Sequence, residues 1–259
     1  MGKKVLITSD THVGSEVAIM PQCGFGKDYT ELKTKKPNSM QRKIYKLYQA
    51  MCDDVGKVDI HINLGDTCDG LNKKAFGKGQ WTNNLIEQAY TAAYIENLIK
   101  TNKRIVLQGS YYHVGSNMSS DELVAILSKA EYDSDISLQV DKTKFYFRHF
   151  IGTSRSIWAY KTTQVAREMV LGELNKDEYG KFNIYGFGHI HSFVAVEYGH
   201  SYGFTCPCWK LRGGYEKQVT LAWLPHLGYL LFEIDGKNWE RFKHVVTFKG
   251  KDIIKEIKI

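Results

Sequence analysis

The chain has 259 residues and a formal net charge of +7, and 43% of its residues are hydrophobic and 13% aromatic. These values are ordinary for a folded globular protein with a sizeable core. No run approaches the ~18 apolar residues of a membrane span, and the N-terminus enters a strand instead of an apolar signal segment. We therefore expect a cytoplasmic protein with no membrane partner and with its five scattered cysteines reduced.

The positive charge suits an anionic partner such as a phosphate ester or a nucleic acid. A solvated basic surface explains it equally, so the charge by itself selects no function.

Apolar periodicity and turn residues divide the first half of the chain into strands, loops and helices. Asn38 or Ser39 is expected to cap the first helix and Ser120 the third. The predicted elements are a strand at 3–9, a long surface loop at 13–37, a helix from 38 or 39 to 55, a strand at 58–63, a loop at 77–81, a helix at 82–100, a strand at 104–107 and a helix at 121–129.

The second half is richer in strands. Its predicted elements are a strand at 144–148, a helix from 162 or 163 to 174, and strands at 184–187, 193–197, 218–223, 229–234 and 240–247. Because strand and helix alternate early and strands dominate late, the sequence predicts an α/β fold, a mixed β-sandwich of two sheets flanked by helices. No linker or repeat divides it, so residues 1–259 are expected to form a single domain.

The stretch 183–192, NIYGFGHIHS, carries the clearest functional signal. A buried strand is expected to end at Gly188 and to present His189 and His191. Two residues apart on an extended backbone, their imidazoles point to the same side. Neutral imidazole is a favoured ligand for transition metals. A hydrogen-bonded pair of histidines is the alternative.

Carboxylates and imidazoles follow other predicted strands in the same way. Because ligands converge beyond strand ends in α/β sheets, these side chains are expected to meet. With no cysteine among them, they suit two divalent ions, manganese or iron, with zinc also possible. Two such ions can share a water, lower its pKa and supply hydroxide for attack on phosphorus. The residues are Asp10, His12, Asp66, His113, His149, His189 and His191.

Four short motifs in this order resemble the calcineurin-like metallophosphoesterases: D-x-H at 10–12, GD at 65–66, a lone His149, and GHxH at 188–191. The resemblance covers about 180 residues and implies a four-layer sandwich with a dinuclear metal centre. It also implies that Asp10, His12 and His191 hold one ion, that Asp66 bridges, and that His149 and His189 complete the second site. The family includes phosphatases, phosphodiesterases and nucleases, so the resemblance names no substrate.

The third family motif, usually G-N-H-D or G-N-H-E, is altered. After Gly109 the chain reads Ser110, Tyr111, Tyr112, His113, so the histidine lies two places late. His113 is the predicted catalytic residue, either as a proton donor to the leaving oxygen or as a replacement metal ligand, whereas Ser110 is a weak ligand. A drifted loop and poor catalysis is the alternative.

Three residues are predicted to contact the substrate. Arg155 could clamp a phosphate oxygen or be an ordinary surface arginine. Tyr112 could stack on a base or aryl group or pack, and Ser110 lies beside the expected phosphate position. Asp69, three places after Asp66, could orient a ligand histidine or be a solvated turn residue.

These observations predict two-metal hydrolysis of a phosphate ester, with a preference for a phosphodiester or nucleic-acid substrate. A phosphomonoesterase, a metal-binding scaffold without turnover, and a nucleic-acid-binding protein driven by its basic surface are the alternatives.

Overall fold

The computed structural model describes residues 2–71, 77–113, 119–152, 160–213 and 224–246. In them two β-sheets pack face to face, with helices on their outer faces. The strands are β1 Lys3–Thr8, β2 Gly24–Phe25, β3 Glu31–Leu32, β4 Val58–Asn63, β5 Thr101–Leu107, β6 Glu131–Asp133, β7 Asp135–Val140, β8 Thr143–Arg148, β9 Ile184–Phe187, β10 Val194–Tyr198, β11 Ser201–Thr205, β12 Leu227–Asp235 and β13 Asn238–Val246. The helices are α1 Ser39–Val55, α2 Leu85–Asn97, α3 Ser120–Ser128, α4 Tyr160–Leu174 and α5 Lys176–Tyr179, with a 3₁₀ turn at Lys27–Tyr29.

The first sheet has six strands in the order β13-β12-β1-β4-β5-β6. Strands β1, β4, β5 and β6 are parallel, and β12 and β13 add an antiparallel edge. The parallel order places the C-terminal ends of β1, β4 and β5 side by side, so the residues that follow these strands share one edge of the sheet.

The second sheet has five strands in the order β10-β11-β9-β8-β7. Strands β8, β9 and β11 run parallel, with β7 and β10 antiparallel at the edges. The ends of β8 and β9 carry the residues at 149 and 188–191 to the same side.

Alternating side chains along each strand separate the cores. On β1, Val5 and Ile7 pack between the two sheets with Phe145 and Phe232, whereas Leu6 faces the helices α1, α2 and α3. A third cluster lies between the second sheet and α4. This gives helix, sheet, sheet and helix layers and confirms the predicted α/β fold, a mixed β-sandwich of two sheets flanked by helices.

One predicted element is wrong in part. The prediction of a surface loop at 13–37 is wrong for the first half of this segment: Val13, Ala18, Ile19 and Met20 are fully buried, whereas residues 27–36 are mostly exposed. Strands β2 and β3 and the 3₁₀ turn also lie within the segment. The buried part was missed because its apolar residues follow no regular spacing, and it is held by bridges such as Ser15 to Gln80.

The first residues of two helices differ from the predicted ones, and the capping residues explain both differences. Helix α2 begins three residues later than predicted, because the Asn84 side chain caps it. Ser119, not Ser120, caps α3. Strands β6, β7 and β11 were not predicted, and the strand predicted at 218–223 lies outside the described residues. In the described part of the chain no helix has the length and apolar character needed to cross a membrane.

Candidate metal centre

The predicted ligand residues lie on tight turns beyond the strands. Five of them have a left-handed backbone, with φ of 53° at Asp10, 44° at His12, 52° at Asp66, 68° at His189 and 56° at His191. The prediction of an extended backbone at His189 and His191 is therefore wrong, because strand β9 ends at Phe187, before both residues. Left-handed φ in non-glycine residues costs free energy and is typical of functional sites.

One group joins the ends of β1 and β9. Asp10 Oδ1 lies 3.1 Å from His191 Nε2 and 3.6 Å from His12 Nε2. The two imidazole Nε2 atoms are 2.9 Å apart. Two ring nitrogens approach so closely only if one carries a proton or both face a cation. These three side chains form the first triad, with ligand atoms within 4.8 Å of one another.

A second group joins the ends of β4, β8 and β9. His149 Nε2 lies 3.1 Å from Asp66 Oδ2. His149 Nδ1 donates a hydrogen bond to the Leu64 carbonyl, at 2.8 Å, which leaves the Nε2 lone pair for a ligand. Asp66, His149 and His189 form the second triad, again with ligand atoms within 4.8 Å of one another.

Two glycines allow this close approach. A Cβ on Gly188 would lie 2.5 Å from Ser9 Oγ and 2.8 Å from His149 Nδ1. A Cβ on Gly109 would lie 2.1 Å from Asp66 Oδ1. Any side chain at either position would displace a member of the site.

Asp69 lies next to His12 of the first triad, on the Nδ1 side of the ring. It is buried, and its Oδ1 lies 3.5 Å from His12 Nδ1 and 3.3 Å from the ammonium group of Lys210. Gln80 donates to its other oxygen at 2.8 Å. The alternative of a solvated turn aspartate is therefore wrong, because the carboxylate is buried next to the His12 ring.

Asp121 connects the β4 and β5 exits. Its buried carboxylate accepts hydrogen bonds from the backbone N–H groups of Asp66, Thr67 and Gly109, at 3.3, 2.8 and 2.8 Å. The Thr67 hydroxyl donates a fourth, at 2.5 Å. One side chain at the start of α3 thus fixes both loops.

The altered third motif still reaches the centre. His113 forms a third candidate group with His12 and Asp66, and its ring centroid lies 4.6 Å from that of His12. Its Nδ1 lies 2.7 Å from the Asp69 carbonyl. Ser110 donates to the Asp66 carboxylate from its backbone N–H, at 2.8 Å, and from its hydroxyl, at 3.0 Å.

Charges in the site offset the effect of burial. Burial alone would raise the pKa of Asp66, but the nearby His149 and His113 outweigh it and hold this pKa far below its ordinary value. Burial lowers the pKa of His113 and of His189 to about 4. The pKa of His149 is about 9, because Asp66 and Asp10 outweigh its burial. Metal binding at His149 therefore has to release a proton.

The donor set fits divalent metal ions. Carboxylate and imidazole ligands suit manganese, iron or zinc, and His113 and His189 are neutral at pH 7, as ligands must be. The buried His149 Nε2 makes no hydrogen bond. His12 of the first triad and Asp66 of the second form a further group with His113, with ligand atoms within 4.8 Å of one another, so the triads adjoin and the centre could hold two ions.

Of the three predicted substrate residues, the structure describes Ser110 and Tyr112. Arg155 is outside the described residues. Tyr112 lies half exposed beside His113, at a ring-centroid distance of 4.9 Å.

Sequence reasoning missed Asp121, Lys210 and Phe150. Asp121 follows a serine pair and reads as an ordinary acidic residue in the first turn of a helix. Lys210 gave a weak signal, a lysine between Trp209 and Leu211 in an apolar run. Nothing in the spacing indicated Phe150, because it follows a predicted ligand without a motif of its own.

Comparison with protein families and with curated proteins gives no match. Among solved structures, a single mutant of Vps29 from Entamoeba histolytica is similar, with a TM-score of 0.50 and 13% identity over 95% of this chain and 99% of that chain. Vps29 from Chaetomium thermophilum has a TM-score of 0.48 and 12% identity over 95% and 98%. A protein described as an archaeal phosphodiesterase has 0.47 and 15% over 93% and 99%.

At such identities the likeness shows the fold alone. The chain therefore has the metallophosphoesterase-like fold that its four motifs predict.

Proposed function

We propose that this protein hydrolyses a phosphate ester with two bound divalent metal ions. The observation that carries the proposal is the meeting of two carboxylate–imidazole triads at one edge of the sandwich, with the ligand atoms of each triad within 4.8 Å of one another. Manganese or iron suits this donor set, and zinc is also compatible with it.

Each side chain has a role in this proposal. Asp10, His12 and His191 hold one ion, His149 and His189 hold the second, and Asp66 contacts both. When bound, such a pair of ions stabilises charge on phosphoryl oxygens and lowers the pKa of water. Asp69 and Asp121 keep the ligands in position.

For His113, the hydrogen bond to Asp69 favours one of the two predicted roles. A carbonyl oxygen only accepts, so His113 Nδ1 carries the proton and Nε2 of the neutral ring carries a lone pair. The lowered pKa of about 4 supports the neutral form. We infer that His113 serves the centre as a metal ligand in place of the family asparagine, not as a proton donor.

A phosphodiester is the proposed substrate class, with nucleic acid included. The net charge of +7 favours a polyanion over a small neutral ligand. Arg155, Tyr112 and Ser110 are the proposed substrate contacts, and a phosphomonoester is the alternative within the same chemistry.

A second candidate function, metal binding without turnover, is favoured by one observation. Ser110 donates two hydrogen bonds to the Asp66 carboxylate, whereas the family motif places an asparagine ligand here. A scaffold of this kind would bind metal and recognise a partner through the same surface.

The test is hydrolysis of paired aryl phosphate monoesters and diesters by chelator-stripped protein with manganese or zinc added back. Asp66→Ala is the test variant, and Asp177→Ala on the exposed side of α5 is the control. We expect metal-dependent hydrolysis that Asp66→Ala abolishes and Asp177→Ala leaves unchanged. Calorimetric titration of each protein with metal accompanies the assay.

Four results separate the candidates. Faster cleavage of the diester supports the proposed substrate class, and faster cleavage of the monoester replaces it. Two bound ions without hydrolysis of either ester favour the scaffold. Full activity in Asp66→Ala contradicts the metal centre itself.

A further inference from the structure

Two aromatic side chains border the candidate centre. Tyr112 is 48% exposed, and its ring centroid lies 4.9 Å from that of His113. Phe150 is 50% exposed, and its ring centroid lies 4.8 Å from that of His189. Tyr111 is 87% exposed, so this tyrosine pair is not packed in the core.

Phe150 is held in place although half of its ring faces solvent. Its chain neighbours His149 and Ile151 are buried. Its carbonyl accepts a hydrogen bond from Arg148 Nε at 2.9 Å, and the Arg148 guanidinium pairs with Glu168 of α4, also at 2.9 Å. The backbone is thus anchored on both sides while the ring stays available.

The two rings adjoin different parts of the centre. His113, beside Tyr112, groups with His12 and Asp66, whereas His189, beside Phe150, belongs to the second triad. A phosphorus atom bound between the triads would carry one ester substituent on each side. An exposed aromatic face next to each substituent suits a planar group, because stacking buries apolar area without requiring directional hydrogen bonds.

We propose that Phe150 and Tyr112 stack against planar substituents of a phosphodiester, so that the substrate class is a diester with nucleobase or aryl groups. This inference rests on the proposed function and narrows its substrate. The net positive charge favours a substrate with a phosphate group, and the two rings favour planar substituents on this phosphate.

The test compares two diesters with the same leaving group, thymidine 5′-(p-nitrophenyl phosphate) and methyl p-nitrophenyl phosphate. The manganese-loaded wild type is compared with Phe150→Ala, Tyr112→Ala and Phe242→Ala. Phe242, on β13, is 47% exposed and provides the matched control. Because the leaving group is constant, the ratio of the two kcat/KM values reports only on the planar substituent.

We expect Phe150→Ala or Tyr112→Ala to lower this ratio roughly 5- to 150-fold, since stacking contributes ~1–3 kcal/mol per base and ~1.4 kcal/mol is a factor of ten. Phe242→Ala should leave the ratio at the wild-type value. The variant that lacks the ring stacked on the shared p-nitrophenyl group should lose activity equally on both esters. Equal loss on both esters in both aromatic variants, or no change in either variant, overturns the inference.

Binding separates this failure from failure of the proposed function. Thymidine 5′-phosphate is titrated calorimetrically into the same four proteins. Binding by the wild type that weakens in an aromatic variant, without hydrolysis of any ester, preserves the stacking surface and ends the phosphoesterase proposal. Hydrolysis with no selectivity for the thymidine ester preserves the phosphoesterase and ends the stacking proposal.

Discussion

Two buried histidines, one in the middle of a strand and one beyond a strand end, have almost the same local partner. His61 Nδ1 lies 3.5 Å from Glu96 Oε2, and His12 Nδ1 lies 3.5 Å from Asp69 Oδ1. Their pKa values move in opposite directions. Burial and the charge of Arg104 lower that of His61. At His12, burial and Lys210 also lower the pKa, but Asp10 and Asp69 outweigh them and raise it.

The other ring nitrogen explains the difference. His61 Nε2 bonds the Thr8 hydroxyl at 2.8 Å, so this nitrogen is held by a group that binds no metal in the proposed centre. His12 Nε2 lies 2.9 Å from His191 Nε2 and 3.6 Å from the Asp10 carboxylate, and both of these groups are candidate metal ligands. A buried histidine is therefore structural when its outer nitrogen faces a hydroxyl of the core, and a candidate ligand when this nitrogen faces other candidate ligands.

The largest expected effect comes from the same substitution at both positions. Asparagine removes the ring in each case and tolerates the left-handed backbone at residue 12. We expect His12→Asn to lower metal affinity and hydrolysis more than ~100-fold, above the loss typical for outer-shell partners. We expect His61→Asn to keep the activity per folded molecule but to lower the free energy of unfolding by ~2–3 kcal/mol, since it opens the core and strands the Thr8 hydroxyl.

Thermal unfolding with and without manganese measures both effects at once. The metal should raise the Tm of His61→Asn as much as that of the wild type, and raise the Tm of His12→Asn by less, because only the second triad keeps all its ligands. A metal-induced Tm increase in His12→Asn equal to that of the wild type would remove this histidine from the centre.

The positions of the two histidines in the sequence account for this division. His61 lies inside an apolar strand, whereas His12 follows one, and strand ends converge in such sheets. The same logic predicted the other candidate ligands, because each follows an apolar run. It failed for support from distant residues: Asp121 lies 55 positions from Asp66, and no local pattern encodes such a contact.

The elements of the fold also fall into two groups, those that the sequence predicted and those that it did not. Strongly apolar strands such as β1 and β9 were predicted because both faces of each are covered. Strand β7 is an edge strand of the second sheet, and Val140 is its one buried residue. It was missed because its composition is polar. Residues 13–37 were assigned to the surface because irregular buried backbone has no periodicity to detect.

A smaller effect is expected where one side chain fixes two loops. Asp121→Asn keeps the shape but turns one acceptor oxygen into a donor facing backbone N–H groups. We expect a loss of ~1–3 kcal/mol in the free energy of unfolding and a metal affinity lower by roughly 10–100-fold. Denaturant titration and calorimetry measure the two quantities.

Glu122→Gln is the matched control for this prediction. Both residues lie in the first turn of α3, so each substitution removes the same favourable charge from the helix N-terminus. Asp121 accepts hydrogen bonds from both loops, whereas none of the hydrogen bonds of the described residues joins the Glu122 side chain to either loop. Equal loss of metal affinity in both variants would show that Asp121 acts only through the helix.

The last expected effect concerns stability alone, at the partner of the structural histidine, and it depends on pH. Burial raises the pKa of Glu96 from 4.5 to about 7, against the opposing influence of Arg104 and Asn63. The folded state thus binds the Glu96 proton more tightly than the unfolded state does. Between pH 4.5 and about 7 the folded protein holds a proton that the unfolded chain has lost, so this residue's contribution to stability falls as pH rises through this window and stays constant outside it.

Glu96→Gln mimics the protonated acid at every pH and keeps an acceptor oxygen for Asn63. The free energy of unfolding of the variant should therefore equal that of the wild type below pH 4.5 and exceed it increasingly up to pH 7, by at most ~1.4 kcal/mol per unit of pKa difference. Groups shared by the two proteins cancel in this difference. Denaturant titrations of the metal-free proteins across this pH range provide the measurement. Parallel stability curves would mean that Glu96 is ionised in the core at neutral pH, with His61 or Arg104 compensating its charge.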